Sequence, residues 1–221
     1  MENNKKRLEI LIVEDNPKYR QTAKRYFDSV PDMNVEFAND YDSAQERLEQ
    51  KKYDGVAVDI FFPKAEGSGD KSMGVEAFYR ILEVLAPTYD ISDDTMRAFG
   101  RYQRAKGAIP KELYLESITI EDRANKGLLS LKKDIESDDE AQQPLGILLM
   151  ERLIERRIPY AVATSGWHHD LNYEPIFRCF WQEPFKMSYS RVVEGYRDRN
   201  KRSIEYWKDV REALMSAISD L

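Results

Sequence analysis

The sequence lacks the features that mark secreted, membrane-spanning and nucleic-acid-binding proteins. Its single cysteine, Cys179, excludes an intramolecular disulfide and a cysteine-rich zinc site, and it suits a reducing compartment. No apolar run approaches the length of a membrane span, and the polar N-terminus leads directly into a strand-like run, so we expect no signal peptide. The net charge of -6 gives no support to a general nucleic-acid or membrane-surface binder. We therefore expect a soluble cytoplasmic protein that binds neither nucleic acid nor membrane.

The N-terminal part of the chain alternates short apolar runs with helical patterns. Predicted strands lie at 8–13, 35–38 and 53–62. Asn16 and Pro17 open the first predicted helix, because Asn caps helices and Pro suits their first turn, and a second helix covers 41–50. Strands that alternate with helices in this way indicate a doubly wound parallel sheet.

This alternation stops between residues 64 and 143, where the sequence contains no convincing strand. Three helices are predicted there, near 74–85, 92–106 and 119–135. The alternation then resumes with a helix at 146–157, a strand at 160–163, a fifth strand near 178–181 and a C-terminal amphipathic helix. The sequence therefore predicts an α/β domain with a doubly wound five-stranded parallel sheet, formed by residues 1–63 and 144–221. Residues 64–143 form a predicted helical insertion.

Carboxylates follow the first and third predicted strands. Glu14 and Asp15 end the first strand, and Asp59 interrupts the apolar run "VAVDIFFP". The carboxyl ends of the strands form the ligand-binding edge of a doubly wound sheet. An ionised Asp in apolar surroundings needs a partner or a ligand, and clustered carboxylates suit Mg²⁺. Thr164 ends the fourth strand, so we expect its hydroxyl at the same pocket.

Each of these residues also has a simpler interpretation. Asp59 could cap the turn after its strand, and Glu14 with Asp15 could flank a helix N-terminus, where acidic residues favour the dipole. Thr164 on its own could be a helix cap. Three carboxylates and a hydroxyl at corresponding strand ends favour a shared site over these separate roles.

Four segments, in this order along the chain, resemble the receiver domains of two-component response regulators. They are "ILIVEDNP", "VAVDIFFP", "PLGILLMERLIERRIPYAVATSG" and "FRCFWQEPF". The resemblance covers residues 7–63 and 144–198. It implies a flavodoxin-like receiver fold and phosphorelay signal transduction.

The resemblance implies a role for each residue of the acidic pocket. Asp59 would be the phosphoacceptor, supplied by a histidine kinase or a small phosphodonor. Glu14, Asp15 and Asp59 would bind Mg²⁺ together with the backbone carbonyl of Phe61. In such chemistry the carboxylate is the nucleophile, and the cation neutralises charge on the phosphoryl oxygens.

The resemblance also assigns residues around the phosphoryl group. Thr164 would bind it, and Phe180 would be the aromatic switch residue, although core packing alone would also explain Phe180. Where the family has a Lys before the Pro of the fifth strand, this sequence has Glu183. A Glu at that place would add negative charge to an acidic site, and either Lys186 or Lys64 could reach back to compensate.

The sequence thus predicts a stand-alone response regulator rather than an enzyme. No helix-turn-helix domain follows the predicted fifth strand, so we expect output through a downstream protein partner. A homodimer is a further possibility. The insertion begins beside Asp59 and could act as a lid, a docking element or a dimerisation arm. Two alternatives remain: a pseudo-receiver that is not phosphorylated, which Glu183 favours, and a Mg²⁺-dependent phosphohydrolase or nuclease. Against the latter, the third strand lacks the second Asp of a DxD motif.

Overall fold

The computed structural model describes residues 6–70, 72–86, 126–136, 143–166, 170, 173–195 and 200–220. Within them, five strands form one parallel sheet in the order β2-β1-β3-β4-β5. The strands are β1 (Leu8–Val13), β2 (Met33–Ala38), β3 (Gly55–Val58), β4 (Tyr160–Thr164) and β5 (Val192–Glu194). This order is flavodoxin-like, and it confirms the predicted doubly wound five-stranded sheet.

The described residues also form seven α-helices. They are α1 (Pro17–Phe27), α2 (Tyr41–Gln50), α3 (Ser72–Leu85), α4 (Lys126–Glu136), α5 (Gly146–Glu155), α6 (Glu174–Phe180) and α7 (Ile204–Ser219). In the part of the chain that the structure describes, no helix has both the length and the apolar character needed to cross a membrane.

Local capping explains where the first two helices begin. The side chain of Asn16 accepts a hydrogen bond from the backbone N–H of Lys18 at 3.0 Å, and Pro17 is the first residue of α1. α2 begins with a reciprocal cap, in which the Asp40 carboxylate accepts the Ser43 N–H at 2.7 Å and the Ser43 hydroxyl accepts the Asp40 N–H at 3.3 Å. Both caps stop the chain from extending the preceding strand and leave polar residues at the carboxyl edge of the sheet.

The core is divided between the two faces of the sheet, as the alternation of side chains along a strand requires. On one face, Leu11 and Val58 belong to a cluster that includes α2, α5 and α6. On the other face, Ile12 and Ala57 pack with α1 and α7. Both faces of the central strands are therefore covered, as is usual for a parallel sheet.

The described helices of the predicted insertion, α3 and α4, belong to the first of these clusters. Their apolar side chains are buried in contact with the α5 and α6 layer; they include Val75, Phe78, Ile81, Leu82, Leu85, Leu128, Leu131 and Ile135. The predicted helix near 74–85 is thus confirmed by α3. The predicted helix near 119–135 is confirmed over 126–135 by α4, and its residues 119–125 lie outside the described residues. The predicted helix at 92–106 lies outside the described residues.

The chain leaves the sheet and returns to it at neighbouring positions. Phe62 and Pro144 form an isolated parallel bridge. The backbone carbonyl of the buried Gln143 accepts the Phe62 N–H at 3.1 Å. The side chain of Gln143 accepts the N–H of Gly74 at 3.1 Å and donates to the carbonyl of Asp70 at 3.2 Å. One side chain therefore joins the start of α3 to the segment that leads into α5.

The predicted position of the fifth strand is wrong. Residues 178–180 belong to helix α6, and the fifth strand is Val192–Glu194. A short apolar run fits either type of element, and Pro175 in the first turn of α6 with Ile176 and Phe180 buried one turn apart suits a helix. β5 has only three residues, all partly exposed, so it carries little pattern to detect.

Candidate functional site

Three carboxylates meet at the carboxyl ends of β1 and β3. The Glu14 N–H donates to the Ala38 carbonyl at 2.9 Å and the Asp59 N–H donates to the Val13 carbonyl at 3.1 Å, so both residues extend the strand ladder. One oxygen from each of Glu14, Asp15 and Asp59 lies within 4.8 Å of the others. Glu14 is 1% exposed and Asp59 is 6% exposed. The sequence therefore predicted correctly which acids the fold brings together.

Hydrogen bonds to the main chain fix the orientation of this acidic cluster. Arg20 donates from Nη1 to the carbonyl oxygens of Glu14 and Asp15, at 2.8 and 2.5 Å. The N–H of Asn16 donates to Oε1 of Glu14 at 3.0 Å, and the N–H of Ile60 donates to Oδ1 of Asp59 at 2.7 Å. One oxygen of each buried carboxylate is thus held by the backbone, and its second oxygen is available to another group.

That other group is the ammonium of Lys201. Its Nζ lies 2.6 Å from Oε2 of Glu14 and 2.5 Å from Oδ2 of Asp59. The Lys201 side chain is fully buried, and its Nζ also lies 5.7 Å from the centroid of the Tyr19 ring. With all four groups ionised, three carboxylates and one ammonium leave the site with two uncompensated negative charges. Such a balance suits a divalent cation.

The start of α7 holds Lys201 in place. The indole N–H of Trp207, itself fully buried, donates to the backbone carbonyl of Lys201 at 2.9 Å. The side chain of Asn200 accepts a hydrogen bond from the N–H of Arg202 at 2.9 Å. The backbone carbonyl of Asn200 accepts one from the N–H of Ser203 at 2.8 Å. Lys201 therefore reaches the site from the turn before α7, and its position depends on that helix.

Burial dominates the ionisation of the carboxylates. Burial, opposed by the charge of Lys201 and assisted by that of Glu14, raises the pKa of Asp59 to about 7. Burial and the charge of Asp59, opposed by Lys201, raise the pKa of Asp15 to about 6. Desolvation also raises the pKa of Glu14, although Lys201 opposes this. For Lys201, desolvation favours the neutral amine, but the charges of Asp59 and Glu14 outweigh it and hold the pKa well above its usual value. Burial is therefore the main reason why these carboxyl groups ionise less readily than in water.

Thr164 lies at the end of β4, fully buried, as the sequence predicted. Its Oγ1 accepts the N–H of Gly166 at 3.1 Å. The hydroxyl of Tyr206, from α7, lies 3.0 Å from the carbonyl of Thr164 and 3.1 Å from that of Val193. Helix α7 therefore contacts both β4, which ends in Thr164, and the edge strand β5, beside the acidic cluster.

The start of α5 packs closely against the main chain at Asp59. A Cβ on Gly146, the first residue of α5, would lie 2.3 Å from the carbonyl oxygen of Asp59 and 2.8 Å from Cα of Ile60. The N–H of Gly146 donates to the carbonyl of Ile60 at 3.0 Å. Only a glycine allows α5 to approach the residues that follow β3 so closely.

Several predicted site residues lie elsewhere. Phe180 is in α6, and its ring packs on Phe177 and Phe185. Because β5 begins at Val192, Glu183 does not end the fifth strand; its side chain is 66% exposed and pairs with Lys186.

The second predicted compensating cation, Lys64, pairs with Asp70 at 2.7 Å. Both proposed compensating lysines are thus engaged at the surface, and Lys201 supplies the ammonium at Asp59. The role of the Phe61 carbonyl as a metal ligand stays a prediction; the ring of Phe61 packs edge-on against Tyr173 with centroids 5.0 Å apart.

Lys201 is the residue that sequence reasoning missed. It comes seven residues after the end of β5, among other charged residues, so no strand-end pattern marks it. The available signal was its place two residues before Ser203, which caps the clearly amphipathic α7. Because β5 begins at Val192, the expected position of the lysine in the sequence, Glu183, lies before the true fifth strand.

The comparisons with known proteins yielded no relative. No protein-family model matches the chain, and no curated protein or solved structure is significantly similar to it. The chemistry of the site therefore has to be inferred from its own side chains.

Proposed function

We propose that this chain is an atypical response-regulator receiver protein in which Asp59 accepts a phosphoryl group. The donor would be a phosphohistidine of a kinase or a small acyl phosphate. An oxygen of the Asp59 carboxylate attacks phosphorus, the bond from phosphorus to the donor breaks, and the donor leaves as free imidazole or as carboxylate. A mixed anhydride on Asp59 results.

The observation that carries the proposal is the contact of Lys201 with both Asp59 and Glu14. A lysine is costly to bury unless its charge is paired, and both partners of Lys201 are acids of the proposed site. Here the ammonium orients the nucleophile before transfer, and it can pair with a phosphoryl oxygen afterwards. The buried hydroxyl of Thr164, at the end of the adjacent strand, offers a donor to a second phosphoryl oxygen.

The donor set also fits a divalent cation. Glu14, Asp15 and Asp59 would hold Mg²⁺, which prefers carboxylate and phosphate oxygens and usually keeps several waters. When bound, the cation would neutralise charge on the phosphoryl oxygens during transfer. The raised pKa values of Asp15 and Asp59 arise mainly from burial, and a bound cation would favour the ionised carboxylates that burial disfavours.

Output through contacts with another protein is part of the same proposal. In the chain that the structure describes, the last element is α7, which packs on the sheet and carries the residues that hold Lys201. A change in the bonding of Lys201 would therefore alter the position of α7 first. We propose a cytoplasmic two-component pathway as the setting.

The test is adduct formation at Asp59. The protein is incubated with Mg²⁺ and acetyl phosphate, and intact mass spectrometry measures the gain of one phosphoryl group. Beryllofluoride with Mg²⁺ is added in parallel while tryptophan fluorescence is recorded. We expect an adduct in the wild type and none in D59N. D54N is the matched control, because Asp54 precedes the same strand at its opposite end and accepts the Glu9 N–H at 2.8 Å.

A pseudo-receiver is the second candidate, and Lys201 also gives it support. The ammonium already bonds to one oxygen of Asp59 and one of Glu14, so the pocket is partly neutralised without a ligand. Absence of both Mg²⁺ binding and an Asp59 adduct in a folded wild-type protein would favour this candidate over the first. Turnover of a phosphoester would instead favour a phosphohydrolase.

A further inference from the structure

The Tyr173 ring packs on chain segments beside the acidic cluster. A Cβ on Gly166 would lie only 2.0 Å from Cε1 and 2.1 Å from Cζ of the Tyr173 ring, so the ring rests directly on the Gly166 backbone. The same ring packs edge-on against Phe61. Phe61 follows Asp59 by two residues, and Gly166 follows Thr164 by two residues. Tyr173 therefore bridges the two chain segments that leave the site.

The hydroxyl of Tyr173 faces the same pocket. It interacts with the side chains of Thr164 and Ser165. Burial and the charge of Asp59 raise the pKa of this phenol to about 12, so it is neutral and can donate a hydrogen bond. A phosphoryl oxygen that pairs with the Thr164 hydroxyl would compete with this interaction.

We propose that Tyr173 is a specificity-determining residue that limits which phosphodonors reach Asp59 and shields the resulting acyl phosphate from water. The inference rests on the proposed function, since it concerns access to the same phosphoacceptor. The ring occupies space beside Asp59 and Thr164, and its hydroxyl holds it there. Bulky donors are disfavoured because the ring has to move to admit them.

Protection from hydrolysis follows from the same placement. In hydrolysis, a water oxygen attacks phosphorus, the bond from phosphorus to the Asp59 oxygen breaks, and the products are the Asp59 carboxylate and dihydrogen phosphate. A water molecule on the side of Gly166 and Phe61 meets the Tyr173 ring first. Removal of the ring opens that side to attack.

The experiment compares Y173A, Y173F and the wild type. Acetyl phosphate and the larger benzoyl phosphate are used as donors with Mg²⁺, and intact mass follows adduct formation and its decay after donor removal. Y189A is the matched control, because Tyr189 is 68% exposed and stacks on Trp181. Circular dichroism verifies that each variant is folded, and if Y173A does not fold, Y173F alone decides.

We expect Y173F to speed adduct decay by about fivefold, the factor that corresponds to loss of one ordinary hydrogen bond. Y173A should exceed this factor and should raise the rate with benzoyl phosphate more than the rate with acetyl phosphate. Y189A should match the wild type. An adduct that appears in Y173A but not in the wild type would also support the inference.

Two results would overturn it. If the wild type forms the adduct, and neither its decay nor its donor preference changes in the folded Y173 variants, Tyr173 has no such role and the proposed function stands. If no protein forms an Asp59 adduct, the proposed function fails and this inference falls with it.

Discussion

Trp207 donates its indole N–H to the carbonyl of Lys201 at 2.9 Å, and this bond joins helix α7 to the ammonium that contacts Asp59. Neither residue has any exposed surface. The bond is made to the backbone of Lys201 and not to its ammonium, so it positions the lysine without contacting the carboxylates directly.

We expect W207F to weaken the site while leaving the fold intact. Phenylalanine keeps much of the ring but leaves the buried Lys201 carbonyl without its donor, which costs about 1–3 kcal/mol of unfolding free energy. Adduct formation with acetyl phosphate should slow because Lys201 is less well placed. The matched control is W181F, since Trp181 stacks on the exposed Tyr189. Equal adduct rates in W207F and the wild type would show that Lys201 needs no such support.

Removal of the ammonium should destabilise the metal-free protein strongly at high pH. K201M leaves the buried Glu14 and Asp59 without their partner, and breaking a buried pair costs about 3–5 kcal/mol. The loss should shrink at pH 5, because Asp59, whose pKa is about 7, is then protonated and needs no charged partner. Urea unfolding of K201M and the wild type, with EDTA present, measures the loss of unfolding free energy at pH 5 and at pH 8.

K64M is the control for that experiment. Lys64 pairs with Asp70 at a distance of 2.7 Å, but both side chains are about a third exposed. Exposed pairs contribute about 0–1 kcal/mol, so K64M should resemble the wild type at both pH values. A K201M protein as stable as K64M at pH 8 would contradict the buried ion pair.

Asp15 should limit the stability of the metal-free protein above neutral pH. Its pKa is about 6 in the folded state against an ordinary value of 3.8, so the folded state binds the proton more tightly than the unfolded state. The stability associated with the proton is complete below pH 3.8 and is lost as the pH rises through 6. D15N should therefore be more stable than the wild type at pH 8, by about 3 kcal/mol, with little difference at pH 4.

Mg²⁺ should reverse this ranking. The wild type gains binding free energy from the cation, whereas D15N has lost a ligand. Thermal unfolding at pH 8 with EDTA and then with Mg²⁺ provides the comparison. D28N is a suitable control because Asp28 is exposed and pairs only with its helix neighbour Lys24 among the described contacts. If Mg²⁺ stabilises D15N as much as it stabilises the wild type, Asp15 is not a ligand of the metal ion.

Gly146 should tolerate no side chain. In G146A the new methyl group would meet the Asp59 carbonyl at 2.3 Å, and both contacting elements are backbone. We expect a loss of at least about 1–3 kcal/mol, the usual range for overpacking, together with slower adduct formation. G55A is the control, because its nearest neighbour is the flexible end of Ile218 at 3.1 Å. Equal effects in both variants would mean that α5 can move away from Asp59.

The acidic half of the site was predictable because strong local patterns define it. β1 and β3 are buried, apolar and followed by polar residues, so Glu14, Asp15 and Asp59 could be assigned to strand ends without knowledge of the sheet order. Thr164 was predictable for the same reason.

The basic half depends on contacts between distant segments. Lys201 is 142 residues from Asp59 along the chain, and its position is set by Trp207 rather than by a strand. Tyr173 lies nine residues beyond Thr164, and its place over Gly166 follows from packing. No spacing rule relates such residues, so only the folded chain reveals them.

The short edge strand has a consequence for the ionisation of the site. β5 contributes three ladder pairs to β4, so we expect native-state hydrogen exchange to show this edge opening at a lower free energy than β1 and β3. Detachment of β5 together with the start of α7 would withdraw Lys201 and admit water to Asp59, which removes both the ammonium that lowers the pKa of Asp59 and the burial that raises it. Fraying of one sheet edge and the protonation state of a residue in the middle of the sheet are, in that case, a single coupled equilibrium.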